Sequence, residues 1–204
     1  MNENILNVWG KLSRNYDTLW VQKYSLTPTR EKILKIIEKV PFQKLLDMGC
    51  GTGQLLSEIK AIYRDSELFG IDKSIGMIEA AKNKNLAIDF MAVNSEEISY
   101  KEEFDIITCC HSLPYYENKP KALENVSNAL KENGRAIFVA ASINNIYDKL
   151  IMAIIESTAE KADYLSKKDF MAIAEKYFII DEIFLIKEKW FMPSIYGFVM
   201  RKKI

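Results

Sequence analysis

Short apolar runs alternate along most of the 204-residue chain with stretches whose apolar residues recur every three or four positions. The runs are KLLDM (44–48), ELFGID (67–72), AIDFMAV (87–93), FDIITCC (104–110) and RAIFVAA (135–141), bounded by Gly, Asp or Asn. They are short and nearly continuous in Leu, Ile, Val and Phe, as strands buried on both faces are. Between them QLLSEIKAIY, SIGMIEAAKN and KPKALENVSNALKEN carry the helical period, and ENGR at 132–135 supplies the glycine that ends the third helix. Strand and helix in this alternation predict βαβ units and a parallel sheet.

Flanking segments complete the pattern. TPTREKILKIIEKV predicts a helix capped by Thr27 with Pro28 at its first position. It follows an aromatic-rich start carrying Trp9, Tyr16, Trp20 and Tyr24. Two more helices are predicted at 145–161 and 166–177, the second opened by Ser166 with Asp169 three residues on. The chain closes with two β-rich runs around MPS, a turn short enough for an antiparallel pair. No repeat or Gly/Pro/Ser-rich linker interrupts the sequence, and its apolar 49% is enough for one full core. The expected organisation is therefore one domain, 1–204, with 1–40 as an N-terminal helical lid, 42–141 as the binding core and 142–204 as C-terminal helices and hairpin.

Charge narrows the partners. Lys+Arg and Asp+Glu stand at 28 each, so no long-range field gathers nucleic acid or holds an anionic bilayer. The first residues lack a basic segment leading into an apolar one, and no stretch approaches the ~18 uncharged residues of a membrane span. The expectation is a soluble cytoplasmic protein. Cys50, Cys109 and Cys110 are odd in number and are expected reduced, and with a single histidine, His111, no metal site is expected.

The segment LLDMGCGTG places Gly49, Gly51 and Gly53 at alternate positions behind the first strand, where the chain turns into a helix. Open α/β sheets bind ligands at that end. Glycines permit unusual dihedrals and close approach to main-chain amides, and the following helix directs its first N–H groups at an anion. The spacing is GxGxG rather than the GxGxxG of a dinucleotide site, and no GxxxxGK[ST] phosphate loop occurs. Asp72, at the end of the second strand, stands where a carboxylate accepts hydrogen bonds from a ribose diol. A helix cap is its other reading. Together these features ask for a nucleoside with a small anionic head.

LLDMGCGTG, GIDKSIGMIEAAK, MAVNSEEI and FDIITCCHSLPYYENKPKALENVSNALKENGRAIFV, in that order over roughly 42–141, resemble the class I S-adenosylmethionine-dependent methyltransferases, especially the quinone-biosynthesis type. The resemblance implies a Rossmann-like α/β fold: a seven-stranded, mostly parallel sheet with a C-terminal antiparallel hairpin and helices on both faces. It implies that Asp47, Gly49 and Gly51 hold the methionine end of the cofactor, with Thr52 and Gly53 completing the loop. Asp72 corresponds to the ribose acid. Lys73 and Met77 fall where main chain and an apolar side chain flank the adenine, and Asn94 and Ser95 match the adenine-side pair, although many relatives carry Asp where this chain has Asn94. Cys110 occupies a position near the sulfonium, and NYDTLW resembles a segment folding over the cofactor, which makes Tyr16 a lid contact.

Several side chains carry two readings. His111 is the candidate general base, with an ordinary pKa near 6.5; it could equally orient the loop HSLPYYEN. Tyr115 and Tyr116 face the acceptor or anchor packing. Trp9, Trp20, Tyr24, Trp190 and Phe191 line an acceptor pocket or belong to the core. Cys109 and Cys110 lie in an apolar strand that suppresses the thiolate. The expected activity is methyl transfer from S-adenosylmethionine to a small-molecule acceptor. The other reading is a non-catalytic module that binds S-adenosylmethionine or S-adenosylhomocysteine.

Overall fold

A computed structural model describes residues 17, 25–156, 162–187 and 192–203, with the side chains of 153–156 not described. Tyr16, Trp9, Trp20, Tyr24, Trp190, Phe191 and the last turn of the helix predicted to reach 161 lie outside those residues. The element order is α1 (Thr27–Ile37), β1 (Lys44–Met48), α2 (Gln54–Ile62), β2 (Glu67–Asp72), α3 (Ile75–Lys82), β3 (Asp89–Ala92), β4 (Phe104–Cys110), a 3-10 turn (Leu113–Tyr115), α4 (Lys119–Ala129), β5 (Leu130–Ala141), α5 (Ile146–Glu156), α6 (Lys167–Ala174), β6 (Phe178–Ile186) and β7 (Ile195–Lys202).

The strands form one seven-stranded sheet in the order β3-β2-β1-β4-β5-β7-β6. The first five run parallel, and β7 is antiparallel to both β5 and β6. Strand alternation sorts neighbouring apolar residues to opposite faces. Leu45, Ile106 and Ile137 join Ile33, Ile36 and Ile37 of α1, Leu55, Leu56 and Ile59 of α2 and Ile78 and Ala81 of α3 on one face. Leu46, Ile107 and Phe138 join Leu123 and Val126 of α4 and Phe170 and Ala174 of α6 on the other. Both faces are covered, which is why these strands have no polar side. The largest buried side chains include Phe104, Phe138 and Phe178, each contributing about 1.5–3 kcal/mol through its removal from water.

Four local expectations need correction. Thr27 lies within α1 and gives no side-chain cap; Leu26 precedes the helix and the Thr27 hydroxyl accepts from Arg30 instead. The helix predicted to end at Gly134 stops at Ala129, because the carbonyls of Asn128 and Ala129 are taken by the amides of Glu102 and Glu103 entering β4. Leu130 is then extended, fully buried and paired with Phe104. The helix α3 is capped by Ser74, whose hydroxyl accepts from the Met77 amide, so Asp72 is not its cap. Finally, the connection between β6 and β7 runs over 187–194 rather than a three-residue turn. The expected Ser166 cap of α6 is present, accepting from the Asp169 amide.

Candidate active site

The register aligns the carboxyl ends of the central strands. Met48 lies opposite Ile71 on β2 and Cys109 on β4, Asp72 opposite Ala92, and Cys110 opposite Val139. Asp47, Asp72 and Cys110 thus end adjacent strands, with Asn94 and Ser95 just past β3.

Gly49, Gly51 and Gly53 all have positive φ, at 67°, 54° and 72°. Their surroundings differ. A methyl group on Gly49 would lie 2.2 Å from the Ser112 Cβ, and one on Gly53 would lie 2.8 Å from Phe90 Cζ. Those two glycines make room for the protein's own side chains. Around Gly51 the same methyl group meets nothing within 4 Å among the described residues. The Gly51 amide donates to Asp72 Oδ2 at 2.9 Å, while Asp72 Oδ1 accepts from the Ser74 amide at 2.8 Å. One carboxylate therefore ties the glycine loop to the start of α3. A carboxylate oxygen accepts more than one hydrogen bond, so these main-chain bonds are compatible with a ribose diol.

Asp47 is 2% exposed, and its Oδ1 accepts from the Thr108 hydroxyl at 2.7 Å. Burial pushes its pKa up to about 7, with the Thr108 bond opposing and the Asp72 charge adding. Thr52 is buried and donates to Asp17 Oδ1 at 2.7 Å, and Asp17 also pairs with Lys84 at 3.2 Å. Asp17, which follows Tyr16 in the sequence, therefore reaches the glycine loop. Lys73 follows Asp72 in the turn into α3, and Met77 is buried within that helix. Asn94 turns its side chain onto Glu96, bonding both its carboxylate and its amide. Ser95 is buried and donates to the Tyr116 hydroxyl at 3.0 Å.

His111 leaves β4 with φ 59°, its amide donating to the Val139 carbonyl. Its Nε2 lies 3.0 Å from the Thr29 hydroxyl of α1. Burial, reinforced by the Arg30 guanidinium, lowers its pKa to about 4, so the ring is neutral at pH 7. Arg30 reaches Glu58, Gln54 and Thr27. Burial raises Cys110 well above the ordinary thiol value and Cys109 to about 11, which keeps both as thiols. Tyr115 contacts the Tyr164 hydroxyl, and Tyr116 anchors the loop against Ser112. A cavity of about 30 Å³ lies between the loop after β4 and the end of β5, lined by Leu113, Pro114, Lys119, Ser142, Asp163 and Tyr196 among others. None of the glycine-loop residues lines it.

Sequence reasoning missed Thr108, Ser112, Arg30 and Asp17. Thr108 left a signal, since a hydroxyl in a strand buried on both faces requires a partner. The others have partners far along the chain: Ser112 reaches Met48, Arg30 reaches Gln54 and Glu58, and Asp17 reaches Thr52.

A parallel sheet whose first crossover opens on a positive-φ glycine loop, tied to an acid ending the next strand, defines a Rossmann-like nucleoside-binding domain. Residues 45–134 match the model of a methyltransferase domain family. The chain is 32% identical over 167 residues to the uncharacterized protein MJ1252 of Methanocaldococcus jannaschii, covering 80% of this chain and 62% of that protein. It is 29% identical over 143 residues to a ubiquinone biosynthesis O-methyltransferase of Histophilus somni, covering 65% of this chain and 58% of the relative. Among solved structures, the N-methyltransferase NodS of Bradyrhizobium japonicum in complex with S-adenosyl-L-homocysteine superposes with a TM-score of 0.78 at 16% identity, covering 99% of this chain and 100% of that one. The chain is thus similar over residues 45–134 to a methyltransferase domain family and shares the fold of a solved methyltransferase. It spans 49–62% of the length of the first curated relatives it matches.

The residues present fit the cofactor of that family. The space beside Gly51 is a cradle that a single Cβ would enter, with an acid held at 2.9 Å from the same residue's amide. The helix α2 begins at Gln54, and Gly53 before it supplies no side-chain cap, which suits an anionic group near its first turn. Among the described residues no group of His, Cys, Asp or Glu is placed to hold a metal ion, and no helix is long and apolar enough to cross a membrane.

Proposed function

We propose that this chain transfers a methyl group from S-adenosylmethionine to a small-molecule acceptor. The observation that carries the reading is the contrast among the three glycines: at two the place of a side chain is filled by other protein side chains, whereas Gly51 meets no described residue there within 4 Å and has its amide fixed by Asp72. In this reading Asp47 and the loop main chain of Gly49 to Gly53, Thr52 included, hold the methionine end. Asp72 accepts from the ribose. The Lys73 main chain and Met77 flank the adenine, Asn94 and Ser95 meet its edge, and Cys110 lies near the sulfur. Tyr16 is assigned to cover the bound cofactor.

When bound, the sulfonium supplies an electrophilic methyl group. The chain's residues then hold an acceptor in line and keep water out. We assign His111 to joining α1 and the loop after β4, because its Nε2 is engaged by Thr29 and its low pKa makes it a weak base at pH 7. Two observations support a small acceptor: the balanced charge, which offers little to phosphate backbones, and relatives named for ubiquinone biosynthesis.

Calorimetry with S-adenosylhomocysteine, followed by a turnover assay over small phenols, amines, thiols and carboxylates, tests the reading. Gly51→Ala should lower affinity by about tenfold or more, equivalent to about 1.4 kcal/mol. Its fold should lose only the left-handed backbone cost of about 1–2 kcal/mol. Wild-type affinity in that variant would contradict the cradle. Tight binding without turnover across the panel would favour the non-catalytic binding module.

A further inference from the structure

Three hydroxyls and a carbonyl make a continuous line beneath the cleft. The Ser95 hydroxyl donates to the Tyr116 hydroxyl at 3.0 Å, Tyr116 and Ser112 are 3.0 Å apart, and Ser112 donates to the Met48 carbonyl at 2.8 Å. Each hydroxyl has one proton. Ser112 spends its proton on Met48, so Tyr116 is the donor between the two tyrosine and serine oxygens. Every bond therefore points the same way, from the end of β3 to the end of β1. The Cys109 thiol lies beside the same pair, 3.1 Å from the Ser112 oxygen and 3.8 Å from the Tyr116 hydroxyl.

The line ends on a peptide that is gripped from both sides. The Met48 carbonyl accepts from Ser112, and the Gly49 amide of the same peptide donates to the Ile71 carbonyl at 2.7 Å. Gly49 leaves no slack, because Ser112 already occupies the place of its missing side chain. At the other end Ser95 is fixed by its carbonyl, which accepts from Asn125 of α4 at 3.3 Å. Bonds in such a series polarise one another, so the loss of one weakens the next.

We infer that Tyr116 is a positioning residue that couples the adenine side of the cleft to the glycine loop through this one-directional hydroxyl chain. The proposal rests on the methyltransferase reading for which cofactor end each side meets. Among the described residues the hydrogen-bonded route from the Ser95 hydroxyl to the loop runs through Tyr116.

The test has one arm without cofactor and one with it. By hydrogen exchange on the cofactor-free protein, Ser95→Ala should speed exchange at the Gly49 and Cys50 amides by about threefold or more, within the range of coupling between contacting residues. The same substitution in a Tyr116→Phe background should add nothing. In calorimetry with S-adenosylhomocysteine, Ser95→Ala and Ser112→Ala should combine non-additively by about threefold or more, and that coupling should vanish with Tyr116→Phe. A merely structural role would lower melting temperature and affinity additively and leave the remote amides unchanged, which overturns the proposal. If the wild type binds no S-adenosylhomocysteine, the methyltransferase reading fails, and the exchange arm alone decides whether the chain couples the two ends.

Discussion

Asp47, on β1, and His111, just past the adjacent β4, shift in opposite directions for the same reason, loss of water around the charged form. Native Asp47 keeps its proton up to about 7, whereas an unfolded Asp loses it near 3.8. The native state thus binds more protons over that window, and this group makes stability fall as pH rises through it. Native His111 stays neutral down to about 4, whereas the unfolded ring takes a proton below 6.5. There the unfolded state binds more protons, so this group makes stability rise with pH. The two slopes oppose each other between about 4 and 6.5. Asp47→Asn should uncover the histidine: urea denaturation at intervals across that window should show stability increasing with pH, and a flat profile would contradict the assignment. The placement of Asp47, Asp72 and the glycines was legible in the sequence because each sits at a strand end that the apolar pattern marks. That Gly49 serves Ser112 while Gly51 meets no described residue was not, because Gly49 and Ser112, 63 positions apart, meet only after the sheet forms.

At the scale of elements, the joint between α1 and the loop after β4 is held by Thr29 on His111 and by Arg30, which reaches α2 through Gln54 and Glu58. Arg30→Met removes the cation that assists burial in lowering the histidine pKa. An NMR titration of His111 should then show its pKa rise above 4 yet stay below 6.5, because burial is the larger cause. An unmoved midpoint would mean that the guanidinium is not felt by the ring. This joint also redefines α1. It lies in the stretch read as a lid, but it buries Ile33, Ile36 and Ile37 against the sheet. The strands β1, β2 and β4 match the apolar runs residue for residue, since a strand buried on both faces writes its limits into composition. The end of α4 was misread because Leu130 to Asn133 keep helical character, and what stops the helix is a pair of amides from Glu102 and Glu103, which no local pattern reveals.

The whole molecule depends on how the last strand is inserted. β7 enters between β5 and β6, so the chain must bring residue 194 back beside residue 142, where the Ser142 amide donates to the Ser194 carbonyl at 2.9 Å. Asp148, fully buried at the start of α5, fastens this return. Its Oδ1 accepts from the Ser194 amide at 3.1 Å and hydroxyl at 3.3 Å; its Oδ2 accepts from the Asn144 amide at 3.2 Å and the Asn145 side chain at 3.0 Å. All four partners are donors, so an acceptor-only group suits the position and a carboxamide does not. Asp148→Asn turns an NH2 toward N–H donors and leaves buried amides unpaired at about 1–3 kcal/mol each. The expected loss in urea denaturation is about 2–5 kcal/mol, a large share of the roughly 5–15 kcal/mol that holds a domain together. Lys202→Ala supplies the contrast: it breaks a bridge to Glu102 at 2.8 Å, whose acid is 65% exposed, and should cost no more than about 1 kcal/mol. Equal losses in the two variants would mean that β7 is held by its ladder alone, and that the carboxylate at 148 does not set the path of the chain's return.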